Sequence, residues 1–241
     1  MKTFSLASTL LLSVLASSST SWAFPQCEKP EDRGCFTGRF NLTDVPGDAD
    51  HKKLADDFGF VDPQGVGWEA SSGDVTNGAD IPALLQAIIG GPWDDDYLRA
   101  AVIHDHYCVR QVRKWSDTHR VFYDAMVAGD IDETKAKLMY YAVYTFGPMW
   151  GWTLSGAKCK TTPYCIAEKD KAPTRVSIPG RLDDLSKLSE LQAIRARIEA
   201  SERAGADLSA EDLVRISDEQ HPKQPLLQTL PLEQQLKYGF Q

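Results

Sequence analysis

Apolar residues recur with a helical period through the middle of this chain and thin out towards both ends. The clearest stretch predicts a helix over residues 95–114. Leu98, Val102, Val109 and Val112 fall on one face, with Ala101, His104 and Cys108 on the adjoining stripe. Asp94, Asp95 and Asp96 suit the positive end of its dipole. In this register Asp105 lies within the apolar face and His104 at its edge. A second helix runs from a Ser116 cap to about Ala128, with Phe122, Ala125 and Met126 as its stripe and Gly129-Asp130 as its stop. A third covers residues 132–146 and turns Leu138, Met139, Ala142, Val143 and Phe146 inward, while Tyr140, Tyr141 and Tyr144 read as packing. Ahead of these, Asp80 caps a short helix over residues 83–89, with Pro82 in its first turn and Gly90-Gly91-Pro92 at its end.

The flanks differ. Residues 35–42 predict a short strand, and Phe58-Gly59-Phe60-Val61 predicts another. Residues 62–77 are Gly-rich and loop-like. Residues 147–171 read as a loop carrying Trp150 and Trp152. From about residue 175 the composition shifts, with a charged helix over 182–203 (Leu185, Leu188, Leu191, Ile194 and Ile198 in register), a shorter helix opening at Ser209, and a Gln- and Leu-rich end that reads as loosely held. The expected fold is mainly α within an α+β class: three to four core helices, a small N-terminal β portion and a C-terminal helical appendage. The expected division is a leader over 1–23, a core over 24–174 and an extension over 175–241. The 182–203 helix is the surface expected to serve oligomerisation or partner binding.

Residues 1–23 resemble a secretory signal. Lys2 is followed by an apolar run over 6–16, too short for the roughly 20 residues a bilayer requires, and Ser21-Trp22-Ala23 supplies small residues for cleavage. The expected location is therefore secreted or periplasmic, where disulfides form. Of five cysteines, Cys27 with Cys35 and Cys159 with Cys165 would close short loops, leaving Cys108 as a core thiol. A zinc site is the weaker reading, because no two cysteines have two-residue spacing. The chain is acidic, with a formal charge of −8, or −9 once Lys2 is lost with the leader. With no basic patch, nucleic acid is excluded as a partner class.

The chemistry concentrates at His104-Asp105, set directly after Ala100-Ala101-Val102-Ile103. An imidazole and a carboxylate placed on an apolar run are costly unless partnered. A neutral imidazole can take a proton from water, and a carboxylate can hold a hard cation such as Ca²⁺. Adjacent helical residues point about 100° apart, so a third group must orient the imidazole. Asp117 and His119, at the head of the second helix, are the candidates. The helical wheel places His119 nearer the Phe122/Met126 face. Tyr107, Asn77 and Asp80 are further candidates for substrate contact or support. Asp62 and Asp74 are candidate cation ligands or turn formers, and His106 reads as a rim residue.

Two resemblances follow from these motifs. Residues 76–82, 97–105, Asp117 with Phe122 and Met126, 139–143 and 146–150 together resemble a bacterial and phage domain family of unknown function, number thirteen-fifty-three. That family has Asp where Asn77 stands and Ser where Asp80 stands. More loosely, His104-Asp105-His106-Tyr107-Cys108 followed by Asp117, Phe122 and Met126 is similar to the paired helices of secreted phospholipases of the A-two type. That similarity implies a hydrolase of an ester or lipid in which His104 activates water, Asp105 binds calcium and Asp117 orients His104. The alternative is a non-catalytic secreted envelope or interaction module whose His-Asp pair is structural.

Overall fold

The computed structural model describes residues 33–76, 95–153 and 173–238. The leader-like segment, Asn77, Asp80, the helix expected over 83–89, and Cys27, Cys159 and Cys165 lie outside the described residues.

The N-terminal portion holds more strand than its pattern predicts. β1 (Cys35–Gly38), β4 (Phe58–Val61) and β5 (Gly67–Ala70) form an antiparallel sheet in the order β1-β4-β5, with Cys35 opposite Val61 and Phe60 opposite Trp68. β2 (Leu42–Val45), β3 (Asp48–Leu54) and β6 (Val75–Thr76) form a second sheet, ordered β2-β3-β6. The single strand expected over 35–42 is thus two. Gly38, at φ 76°, turns the chain out of the first sheet and into the second, a conformation glycine adopts without strain. The stretch expected as loop contains both β5 and β6. Trp68 and Ala70 point inward and are buried, but a period-two signal four residues long is hard to see among so many turn formers. The Asp62 carboxylate accepts from the backbone N–H of Gln64 and Val66 and from the Trp68 indole, at 3.0, 2.8 and 2.9 Å. Asp62 therefore braces its turn, the turn-former reading of the two expected for it.

Three consecutive helices follow, packed side by side: α1 (Asp95–Arg110), α2 (Trp115–Ala128) and α3 (Glu133–Phe146). Asp132 caps α3 by accepting from the backbone N–H of Lys135. α2 starts one residue before the expected Ser116 cap, with no side-chain cap on it. α1 stops four residues earlier than its periodicity predicts. Gln111, at φ 53°, closes the helix in the left-handed region, its N–H bonded to the Tyr107 carbonyl. Two partners from a later strand hold it there: the Gln111 side chain bonds Ser177 at 3.0 Å, and the Arg175 guanidinium donates to the Gln111 carbonyl.

That early stop and the packing on both sides rotate α1 from its expected register. Tyr97, Ala100, Ala101, Ile103 and His104 are buried, whereas Val109 is 84% exposed and Val112 is exposed beyond the helix end. His104 is thus the inward residue and Asp105 the rim residue, the reverse of the expected assignment. The cause is that α1 serves two neighbours. α2 lies along one side, and β5 holds the other through Tyr107, whose hydroxyl accepts from the Glu69 N–H at 3.0 Å and whose ring meets Trp68 edge-on.

The remaining elements are β7 (Met149–Thr153), which falls where a loop was expected and pairs with β8 (Thr174–Ile178), then α4 (Leu188–Arg203), α5 (Ala210–Gln220) and α6 (Leu232–Tyr238). Ser209 and Asp212 form a reciprocal capping box at the head of α5. The apolar stripe of α4, Leu191, Ile194 and Ile198, is buried against the chain itself, since α4 and α5 both pack on α3. Polar ties reinforce the docking: Tyr141 donates to Glu190 at 2.8 Å, and Thr145 donates to Ser217 at 2.9 Å. The stripe that marked this helix for a partner is therefore already covered. The segment between α5 and α6 is tied back through a bridge between Leu227 and Trp152, while Leu232 and Leu236 on α6 are exposed. The class is α+β, with small antiparallel sheets flanking a helical core.

Candidate functional site

His104 on α1 and His119 on α2 face one another across the helix pair, 8% and 0% exposed. α2 presents His119 inward because it shares a face with Thr118, Phe122 and Met126, all buried. His104 Nε2 lies 2.8 Å from His119 Nδ1, and His119 Nε2 lies 3.0 Å from the carbonyl oxygen of Pro148. A carbonyl only accepts, so His119 must carry its hydrogen on Nε2. Burial, and then the charge of His104, push the His119 pKa well below 6.5, so the ring is neutral. A neutral ring with Nε2–H has a bare Nδ1, which accepts the Nε2–H of His104. The order of donation is thereby set: His104 to His119 to Pro148.

The other nitrogen of His104, Nδ1, lies 3.6 Å from Asp105 Oδ1, and the Cys108 thiol lies 3.4 Å from His104 Nε2. Burial by itself lowers the His104 pKa. The charge and hydrogen bonding of Cys108 and Asp105 outweigh it and hold the ring at about 10, an imidazolium at neutral pH. Cys108 is a free cysteine, half-buried, one helical turn beyond His104. The rings of Phe122 and Trp115 wall the pair, against His104 and His119 respectively. On the outer side, Asp105 accepts from the Thr76 hydroxyl at 3.3 Å and borders a groove of about 160 Å³ rimmed by the exposed Val75 and Val109.

Several expected site residues fall elsewhere. Asp117 is not brought to His104. Its side chain is 54% exposed, 3.9 Å from Lys114, and lines a separate cleft of about 690 Å³ with Arg113, Arg120 and Trp150. The position that orients His104 is taken by His119, because the inward face of α2 includes residue 119 and excludes 117. Tyr107 is a packing residue bonded to β5, as described above. His106 is half-buried and lines the same groove as Asp105, its Nδ1 2.6 Å from an Asp74 carboxylate oxygen. Asn77 and Asp80 lie outside the described residues. Cys108 and the Pro148 carbonyl were missed as site groups. The i, i+4 spacing of His104 and Cys108 was a visible signal for the first, but nothing in sequence marks a backbone carbonyl 29 residues beyond His119.

Among the described residues, the metal donors that converge are nitrogen and sulfur rather than oxygen. His104, Cys108 and His119 each offer a ligand atom, all within 4.8 Å of one another. Gly147 keeps this corner open. A Cβ there would stand 2.2 Å from the Val143 carbonyl and 3.1 Å from the His119 ring. Gly147→Ala is therefore expected to cost about 1–3 kcal/mol, the usual range for overpacking, measured by urea unfolding. An unchanged midpoint would mean that the α3 end and the His119 ring yield freely.

The fold and site thus define an α+β protein built on a helix pair that encloses a histidine–histidine–cysteine cluster. A family model described as "Protein of unknown function (DUF1353)" matches residues 52–143. Uncharacterized protein y4iH of Sinorhizobium fredii is 50% identical over 218 residues, covering 90% of this chain and 91% of that protein. Uncharacterized protein y4jT of the same organism is 44% identical over 115 residues, 46% of this chain and 34% of its own length. The chain belongs to this uncharacterised DUF1353 family. No solved structure matches, and these relatives lend no support to the phospholipase resemblance. Among the described residues, no helix is long and apolar enough to cross a membrane.

Proposed function

We propose that the protein is a hydrolase of acyl esters in which Cys108, as its thiolate, is the nucleophile and His104 its paired imidazolium. The observation that carries this reading is the ordered chain Pro148–His119–His104, with a half-exposed thiol 3.4 Å from His104 Nε2 and 3.9 Å from Nδ1. A nucleophile beside an imidazole that a third group orients is the usual activated pair. Cys108 Sγ forms a bond to the acyl carbonyl carbon. As the ester C–O bond breaks, the leaving oxygen takes a proton from His104 Nδ1, the nitrogen that His119 does not hold. Water then hydrolyses the thioester, its proton returning to His104 and its hydroxyl going to the acid product. An exported location, argued from residues 1–23, is part of the same proposal.

A second reading keeps His104 as the base that activates water. It is favoured by the fixed His104-to-His119 donation, which would leave Nδ1 bare in a neutral ring. One comparison separates the two: hydrolysis of a p-nitrophenyl acyl ester by the full chain and by Cys108→Ser. Loss of activity, with an acyl group trapped on Cys108 in the parent protein, supports the thiol route. Full activity of the variant overturns it in favour of water activation. No ester hydrolysis by the parent protein, together with slow alkylation of Cys108 at neutral pH, overturns both and leaves the cluster structural.

A further inference from the structure

We infer that His104 Nε2, Cys108 Sγ and His119 Nδ1 together bind a zinc ion, and that its occupancy silences the thiol. The second clause rests on the hydrolase reading; the first stands alone. Two imidazole nitrogens and a thiolate are a donor set that zinc prefers over calcium or magnesium, whose ligands are oxygens. The three atoms already lie within 4.8 Å of one another, on two helices that the core packs rigidly together. Each imidazole enters the cluster by one nitrogen while the other has a partner outside it. His119 Nε2 donates to the Pro148 carbonyl at 3.0 Å, and His104 Nδ1 lies 3.6 Å from the Asp105 carboxylate. Outer partners of this kind, a backbone carbonyl and a carboxylate, fix the tautomer and the aim of metal-bound histidines.

The exchange needs little rearrangement. His119 Nδ1 already presents a lone pair. The ion replaces the hydrogen between the two rings and any proton on the thiol, so binding releases protons and leaves a singly positive centre. The 2.8 Å gap between the rings widens to roughly 3.3 Å, the separation that two Zn–N bonds of about 2.0–2.1 Å impose at a tetrahedral angle. Three protein ligands leave a fourth position for water. Because the thiolate that would attack an acyl carbon is the same atom that ligates the ion, a bound metal and a free nucleophile exclude one another.

The test uses the full chain freed of metal by a chelator, titrated with zinc and separately with cobalt(II). One ion per chain is expected. Cobalt should give a thiolate-to-metal charge-transfer band and intense tetrahedral visible bands, and Cys108→Ser should abolish the charge-transfer band. His119→Gln can still donate to Pro148, so it is expected to remain folded. It should weaken zinc by about a hundredfold or more, beyond the roughly 10–100-fold cost of losing an outer partner. Alkylation of Cys108 by iodoacetamide, located by peptide mapping, should slow in proportion to zinc bound and recover with chelator. No binding, cobalt without the thiolate band, or equal alkylation at full occupancy would overturn the inference. Rapid alkylation without any zinc binding sinks the ion site and leaves the hydrolase reading. Zinc binding to a thiol that is inert when metal-free keeps the ion site and sinks the thiol route of hydrolysis.

Discussion

His104→Ala should lower both ester hydrolysis and the alkylation rate of Cys108 at pH 7 by about 10²–10⁴-fold, the range a positioned acid–base group supplies. The variant removes the imidazolium beside the thiol, so the thiolate loses its counter-charge and the leaving oxygen its proton donor. Folding should survive. His104 sits where α1 meets α2, but buried apolar residues remain on both helices, among them Ile103 on α1 and Val121 and Ala125 on α2. His104→Gln is the sharper control, because it keeps the shape and a donor towards His119 while removing the charge. If His104→Gln matches the parent protein in alkylation rate, the imidazolium does not activate Cys108. In the parent protein the activity should also fall as the pH rises towards about 10, where the His104 imidazolium is lost. A profile that stays flat through that range would contradict the assigned acid.

His119→Ala should be the most destabilising single change at this site, by about 3 kcal/mol. The ring is fully buried, so its removal leaves a cavity beside Trp115 and Trp150. It also leaves the His104 Nε2–H and the Pro148 carbonyl without their present partner. Urea unfolding measures the loss, and a change under about 0.5 kcal/mol, the level of an ordinary surface substitution, would show that water replaces the ring at no cost.

The pH dependence of stability carries a further signature. His104 is held above its ordinary 6.5, so its contribution is complete below about pH 6.5 and is lost as the pH rises through about 10. His119 is held below 6.5, so its contribution is complete above that value and is lost as the pH falls beneath it. Stability should therefore decline on both sides of about pH 6.5. His119→Ala should flatten the acid limb and His104→Ala the alkaline limb. Each variant leaving both limbs unchanged would place the titrating groups elsewhere.

Local chemistry determined much of this protein from its sequence. The 3.6-residue periodicity, the Gly129-Asp130 stop and the opening at Ser209 placed α2, α3, α4 and α5 to within a few residues, apart from the first turn of α4, because those signals act within one turn of backbone. The apolar run ahead of His104-Asp105 marked the site for the same reason: burial of a polar pair is costly wherever the chain goes. What the sequence left open depended on neighbours far along the chain. The end of α1 is set by Arg175 and Ser177 gripping Gln111, contacts 64 and 66 residues apart. The short strands β5 and β6 gain their hydrogen bonds only from β4 and β3. The apolar stripe of α4 finds its cover in α3. The helical wheel already put His119 nearer the inward face than Asp117, but only the tertiary structure decided that its ring reaches His104 and that Cys108 completes the cluster. Helical rotation follows from what packs on each side of the helix, and a hydrogen bond of 2.8 Å between residues 15 apart is fixed by that packing rather than by any local preference.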